Sequence, residues 1–420
     1  MTNITTLSNG VTLLLEPVDS VRSASIGIWA NVGSRHETAA QNGICHCLEH
    51  MVFKGTTRYS ATRLAALTDS VGGQFNAYTT KDATAYYARV LHNHLATAQD
   101  ILTDMVFHAN LRDKDLSLER SVILEEIDMY EDSPEDLVGE TLLQAVFPGQ
   151  ALGRPILGSP ETLQTLTGKD LQTMRDQAYR GSNLIAAIVG QYNDTDIKNF
   201  ADVLSTIPAS EAVQTQKASY ISAVIATDKP LEQNHLCLTF PCLPAGHGRR
   251  YIKHLLCGIL GGGWSSRLYQ ALRETHGLCY NVYCNTTSFI DTGLLSVYTA
   301  LGHDTEDKAL RMIGEILASL AHDGPTQDEL DRHRESVKAS VVIGLESTGS
   351  RISHAVHSMK VLGHVATTDE IITGYDAVTV EQIRQLAAET LRQPSFSAVG
   401  QVKHTDAYRN LIEKALCLSC

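Results

Sequence analysis

Residues 84–106, TAYYARVLHNHLATAQDILTDMV, and residues 293–317, GLLSVYTALGHDTEDKALRMIGEIL, read as one structural unit used twice. In each, a run that alternates like a β-strand passes through a polar turn into a segment with apolar residues at helical spacing. The chain is too long for one ordinary core, and two domains of roughly 200 residues each are expected. Upstream, SASIGIWANVG alternates like a strand and SATRLAALTDSVGG has helical spacing, and NLIAAIVGQYNDTDIKNFADVL closes the first half as a buried strand followed by a helix. The polar stretch that follows lacks an apolar period and reads as a linker. The same order then restarts with HLCLTFPCL, RRYIKHLLCGIL and GLCYNVYCN. The expected fold is therefore α+β: two α/β-sandwich halves, each a mixed, largely antiparallel sheet with helices packed on it. The boundaries expected are 1–205 for the first domain, 206–223 for the linker and 224–420 for the second.

The composition is that of a globular chain, with 43% hydrophobic and 19% charged residues and no block of like charge. A net charge of −13 argues against a nucleic-acid partner and favours a cationic one. The apolar runs are too short to span a bilayer, and the N-terminus has neither the basic flank nor the long apolar core of a signal peptide, so no membrane association is expected. Nine cysteines, an odd number in mostly apolar contexts, point to free thiols in a reducing, cytoplasmic setting. The terminal Cys417-Leu-Ser-Cys420 sits on no βαβ pattern and lacks a prenylation tail's aliphatic pair, so it is read neither as a redox nor as a lipidation motif.

Chemistry concentrates in GICHCLEHMVFKGT, residues 43–56. His46 and His50 are one helical turn apart with Glu49 adjoining both, an arrangement that offers two imidazoles to one ion. Two hydrogen-bonded core histidines beside a surface glutamate would fit the same triplet. A third ligand is sought in DLSLERSVILEEIDMYED. At about 100° per residue, Glu119, Val122, Ile123, Glu126, Ile127 and Tyr130 share a stripe, whereas Glu125 sides with Ser121, Asp128 and Asp132. Glu126 is thus expected to face inward, where an ionised carboxylate needs a cation: a zinc ion held by the two histidines, or a buried salt bridge. Glu119, two turns earlier, is placed to orient a ligand histidine.

H-x-x-E-H followed by the glutamate of ERSVILEEI resembles the inverted-zincin metallopeptidases, the pitrilysin and insulinase superfamily. The similarity extends to VGGQFNAYTTKDATAYYARV, LGRPILGSPETLQTLT and LGGGWSSRLYQALRETHGLCY, and is nearest to the short form: bacterial processing proteases and the mitochondrial processing peptidase β-subunit. The resemblance implies a zinc endopeptidase acting on unfolded or extended peptides within a cleft enclosed by the two halves. His46, His50 and Glu126 would hold Zn2+, leaving a fourth position open. Zinc lowers the pKa of bound water, and Glu49 would take that water's proton and pass it to the leaving amine.

Further roles are implied by the same likeness. A peptide would add as a strand beside GGQFNAYTT, with Asn76 and Ala77 binding it, although Asn76 equally suits a turn cap after Gly72-Gly73. Arg273 and Tyr280 would stabilise the oxyanion; Tyr280 otherwise reads as a core strand residue. Asp136 and Glu140 stand where processing peptidases bind a basic substrate side chain, and also where a solvated helix start carries acidic residues. The resemblance implies a homodimer, or a heterodimer with a related chain. A catalytic subunit dependent on an unlike partner, or a non-catalytic structural member of the fold, are the competing readings. Cys45 and Cys47 depart from the family pattern and read either as small packing residues or as thiols that make activity oxidation-sensitive. FPGQALGRP lacks the histidine that in the family often precedes Pro-Leu-Gly-Arg.

Overall fold

The computed structural model describes residues 2–416; Cys417 and Cys420 lie outside the described residues. The chain folds as two compact units. The first contains a six-stranded sheet of β1 (Asn3–Thr6), β2 (Thr12–Pro17), β3 (Ser23–Ala30), β4 (Gln74–Thr79), β5 (Thr84–Leu91) and β6 (Leu184–Gly190). Its order is β1-β2-β6-β3-β5-β4, and every pair is antiparallel except β2 with β6. The second unit contains β7 (Val224–Asp228), β8 (Asn234–Cys242), β9 (Cys279–Ser288), β10 (Gly293–Leu301) and β11 (Ser395–Gly400), in the order β7-β11-β8-β10-β9. Here only β7 and β11 run parallel. Without β1, the first sheet matches the second strand for strand in order and sense. The repeated strand–helix pair is β5 with helix Leu95–His108, and β10 with helix Glu306–Asp323.

The central strand β3 is buried along almost its whole length, and its two faces go to different partners. Ala24, Ile26, Ile28 and Ala30 join the main core, with Ile44 and Leu48 from helix Ile44–Met51 and Leu102 and Val106 from helix Leu95–His108. On the opposite face Trp29, with Leu14, Ile185 and Val189, meets Ile352, Ala355 and Val356. A strand apolar on both faces needs cover on both, and this cover comes from helix Thr348–Leu362, far along the chain. Ser25 Oγ and Thr348 Oγ1 hydrogen-bond at 2.9 Å at that helix's start.

The second unit does the same in reverse. Val138, Leu142 and Val146 of helix Pro134–Val146 pack on Cys237, Tyr298 and Val399 of its sheet. The units therefore do not follow the linear division at 205 and 224. Asp128–Gly153 belongs to the second unit, Ile343–Ala366 to the first, and the stretch read as a linker divides after Gln216. Apolar periodicity tells that a helix needs a partner sheet; it does not tell which sheet.

This exchange gives a stability prediction. Ile352→Ala should destabilise the first unit by about 2–5 kcal/mol, because Ile352 is buried against Trp29 and its loss leaves a cavity. Ile343→Ala, at an exposed position, should change stability by no more than about 0.5 kcal/mol. Urea unfolding followed by the fluorescence of buried Trp29 measures both.

Candidate metal and catalytic site

The site begins with a helix of only eight residues, Ile44–Met51, too short to be stable alone. Its start is held by a buried carboxylate. Glu37 Oε2 accepts from the Gly43 N–H at 2.8 Å and from Asn42 Nδ2 at 2.9 Å, and Oε1 accepts from the Cys45 N–H at 2.9 Å. The two backbone groups are donors that a helix start leaves unpaired. Gly43 has φ of 95°, and a Cβ there would stand 2.7 Å from the Leu157 carbonyl oxygen, so both backbone and space require glycine. The loop read from FPGQALGRP closes this end: the Arg154 guanidinium donates to the Glu37 carbonyl, and Asn42 Nδ2 to that of Pro155. Cys45 and Cys47 are buried among apolar side chains, and burial pushes the Cys47 thiol up to about 12. Their surroundings are those of packing residues.

His46 and His50 project from this helix with ring centroids 4.6 Å apart. Glu126, on helix Asp113–Asp132, brings Oε2 to 3.6 Å from Nε2 of each histidine. The ligand atoms of all three residues lie within 4.8 Å of one another, and no other such trio occurs among the described residues. A separation of 3.6 Å is too long for a hydrogen bond. It is close to the edge of a tetrahedron about an ion with bonds of about 2.0–2.1 Å, which is about 3.4 Å. Burial, with His50 alongside, pushes His46 down to about 3, so a protonated His46 does not supply the charge Glu126 needs. His46 Nδ1 is also buried without a hydrogen-bond partner in the protein. Two imidazoles and a carboxylate converging this way fit a divalent metal ion better than a salt bridge.

Glu119 stands behind the trio. Its Oε2 lies 3.1 Å from His50 Nδ1, and its Oε1 is 2.5 Å from Lys54 Nζ, so the carboxylate fixes the ring while the ammonium balances its charge. Glu125 is exposed. The stripe inferred from the helical wheel is narrower in the fold: Ile123 and Ile127 are buried, but Val122 and Tyr130 are exposed and Glu126 is half-buried. Glu126 therefore faces the histidines at the margin of the core rather than within an apolar layer.

Glu49 is outside the trio. Thr79, the last residue of β4, donates its hydroxyl to Glu49 Oε2 at 2.5 Å, while burial raises the carboxyl above its ordinary range. Strand β4 pairs only with β5 and is an edge of its sheet. Asn76 and Ala77 lie in the middle of that strand, so Asn76 is not a turn cap; its Oδ1 accepts from the Ala77 N–H at 2.8 Å. Thr79, Lys54 and Glu37 escaped the sequence reading. Of the three only Lys54 had a signal, an unexplained charge four residues after His50.

In the second unit, the Arg273 guanidinium lies over the rings of Tyr269 and Tyr280, 4.9 and 4.8 Å from their centroids. Tyr280 is 78% exposed on β9, which excludes the core-strand reading. Asp136 is exposed in the first turn of helix Pro134–Val146 and accepts from Ser133 Oγ at 2.6 Å, so it serves the helix start in this fold. Glu140, one turn on, is half-buried. The adjacent Glu135 accepts from the Tyr283 hydroxyl at 2.8 Å, a contact the sequence did not reveal.

Residues 13–160 match the family described as insulinase (peptidase family M16), and residues 165–337 that described as the peptidase M16 inactive domain. The uncharacterized zinc protease YmxG of Bacillus subtilis is 40% identical, over 91% of this chain and 94% of its own. The chain belongs to peptidase family M16. An uncharacterized zinc protease of Streptomyces coelicolor is 36% identical, over 96% of this chain and 91% of its own. Two solved structures share the M16 fold at low identity. One is a peptidase M16 inactive domain from Pseudomonas fluorescens (TM-score 0.89, 18% identity, 96% of this chain and 99% of that one). The other is a protease from Helicobacter pylori (TM-score 0.86, 20% identity, 95% and 99%). In this M16 chain the candidate trio His46, His50 and Glu126 lies within residues 13–160, the part matched by the insulinase description.

Metal content tests the assignment of the trio. Alanine at His46, His50 or Glu126 should strip the ion from the purified protein, as read by elemental analysis, whereas Glu125→Ala should retain it. Glu119→Ala should weaken metal affinity by about 10–100-fold, the range for losing a group that orients a ligand.

Proposed function

We propose that this chain is a zinc-dependent endopeptidase that hydrolyses peptide bonds in unfolded or extended peptides. One observation carries the reading: three converging ligand atoms stand beside a separate carboxylate, Glu49, that is hydrogen-bonded to an edge strand. Two histidines and one glutamate form a three-ligand set, the number typical of catalytic rather than structural zinc. Zinc held by them would polarise the scissile carbonyl and acidify water.

The chain's own residues supply the rest. Glu49, raised by burial and held by Thr79, takes a proton at its carboxylate from the attacking water and returns it to the leaving nitrogen. The free edge of β4 binds substrate by backbone pairing, which accepts varied sequences, with Asn76 and Ala77 in the recognising strand. The resemblance assigns Arg273 and Tyr280 to the substrate's carbonyl oxygen. It also supports the processing-peptidase type, in which Asp136 and Glu140 select a basic side chain, and a working form of two chains, alike or related. The intact ligand set and Glu49 favour catalysis over a purely structural role. A cytoplasmic setting is supported by the cysteines, since those among the described residues are free thiols. No described helix is long and apolar enough to cross a membrane.

Two experiments test this reading. Glu49→Gln should retain its zinc while peptidase activity on an extended peptide falls at least about a hundredfold; undiminished turnover would remove Glu49 from the mechanism. Replacing Asp136 with Asn and Glu140 with Gln should lower kcat/KM for arginine-containing peptides at least about tenfold, near 1.4 kcal/mol, and leave the matching glutamine peptide nearly unchanged. Equal losses on both peptides would withdraw the processing-peptidase type and leave the zinc peptidase standing.

A further inference from the structure

The second unit holds two thiols and an amine that none of this chemistry uses. Helix Arg250–Gly261 lies along β9, and Lys253, Cys257 and Gly261 recur at four-residue spacing on its strand-facing side. On β9, Cys284 and Ser288 face them in matching order. Lys253 Nζ donates to Ser288 Oγ at 2.5 Å and to the Leu243 carbonyl at 3.2 Å. One turn on, Cys257 Sγ lies 3.2 Å from the Cys284 carbonyl oxygen.

Gly261 shows how close the approach is. A Cβ there would stand 2.3 Å from the Cys284 nitrogen and 2.8 Å from the Cys284 Cβ, so the Cys284 side chain points into the seam. The Cys257 thiol thus donates to the backbone carbonyl of the residue whose side chain enters the same seam. Cys284 is buried, whereas Cys257 is half-buried, so a small reagent reaches Cys257 first.

We propose that Cys257 and Cys284 are a redox modification site: they form a reversible disulfide when the protein meets a peroxide. The Cys257 sulfur attacks one peroxide oxygen, the O–O bond breaks, and Cys257 becomes a sulfenic acid as the other oxygen leaves as water. The Cys284 sulfur then attacks the Cys257 sulfur. The S–S bond forms, the S–O bond breaks, and the hydroxyl leaves with the Cys284 proton as a second water. Two thiols are oxidised and one peroxide is reduced.

The surroundings favour this order of events. Interaction with the Cys284 side chain holds the Cys257 thiol below its ordinary range, and the nearby Lys253 ammonium acts in the same direction, against burial. Cys284 is pushed the other way, chiefly by the Cys257 side chain and then by burial, so it waits as the resolving thiol. The bond would tie the helix that leads into Gly262-Gly263-Trp264 to the strand that carries Tyr280.

The test uses the purified full chain and hydrogen peroxide, followed by alkylation of the remaining thiols, digestion without reductant and mass spectrometry. The expected main product is a linked pair of peptides carrying Cys257 and Cys284, abolished by dithiothreitol. Cys242→Ala should leave that link in place. Cys284→Ala should abolish it and let Cys257 proceed to the sulfinic or sulfonic acid. A link from Cys257 to Cys242 instead, or both thiols still open to alkylation after peroxide, would overturn the proposal. The wild-type measurement decides without any variant having to fold, and it needs no peptidase activity.

Discussion

The helix that carries His46 and His50 depends on one buried carboxylate that belongs to no metal-ligand motif. Glu37 is 5% exposed and accepts three N–H groups at the start of helix Ile44–Met51. A helix of eight residues gains little from its own backbone bonds, so its placement must come from packing and from its ends. Desolvating Glu37 is costly, as its raised pKa direction shows, and the three hydrogen bonds offset that cost only in this one geometry. The direction of His46 and His50 is thus set from the helix start, not from the metal alone.

The exchange of helices has a similar logic. Strands β3 and β6 are buried on both faces, and one helical layer cannot cover both. Each half of the chain follows its long helix, Asp113–Asp132 or Gln327–Gly344, with a helix that packs in the other unit. The second faces of the two sheets are therefore covered by corresponding elements, Thr348–Leu362 on one and Pro134–Val146 on the other. The units share a fold and an exchange point, yet among the described residues only the first brings together a trio that could hold a metal ion, so the difference between them needs few side chains and no change of topology.

The sequence was most legible where chemistry depends on local spacing. His46 and His50 are one helical turn apart with Glu49 between them, and the wheel turns Glu126 rather than Glu125 inward; Glu126 is the carboxylate that the fold brings beside the histidines. It was less legible where coverage matters: the wheel put Val122 and Tyr130 on the inward stripe, but no neighbour buries them. It was silent on Glu37, whose partners Asn42, Gly43 and Cys45 follow closely in an irregular stretch without periodicity, and on Thr79, whose partner Glu49 is brought near by tertiary approach. The repeated strand–helix unit was readable because each copy satisfies its own alternation. Which helix backs which sheet was not, because an apolar stripe specifies burial without naming a partner.

Thr79 joins two functions that the sequence presents separately. It ends β4, the strand with the free edge, and its hydroxyl occupies an oxygen of Glu49. On the proposed reading, a free carboxylate beside His50 would compete with Glu126 for the ion, since oxygen and nitrogen donors both suit zinc. The hydrogen bond draws one Glu49 oxygen toward the strand, which would keep the proposed base apart from the candidate ligands. Because Ala77 and Thr79 are two residues apart on β4, a peptide paired along that edge would be registered against the same backbone that holds Glu49. Binding and proton transfer would then share one rigid element, so that substrate alignment and base alignment would be set together.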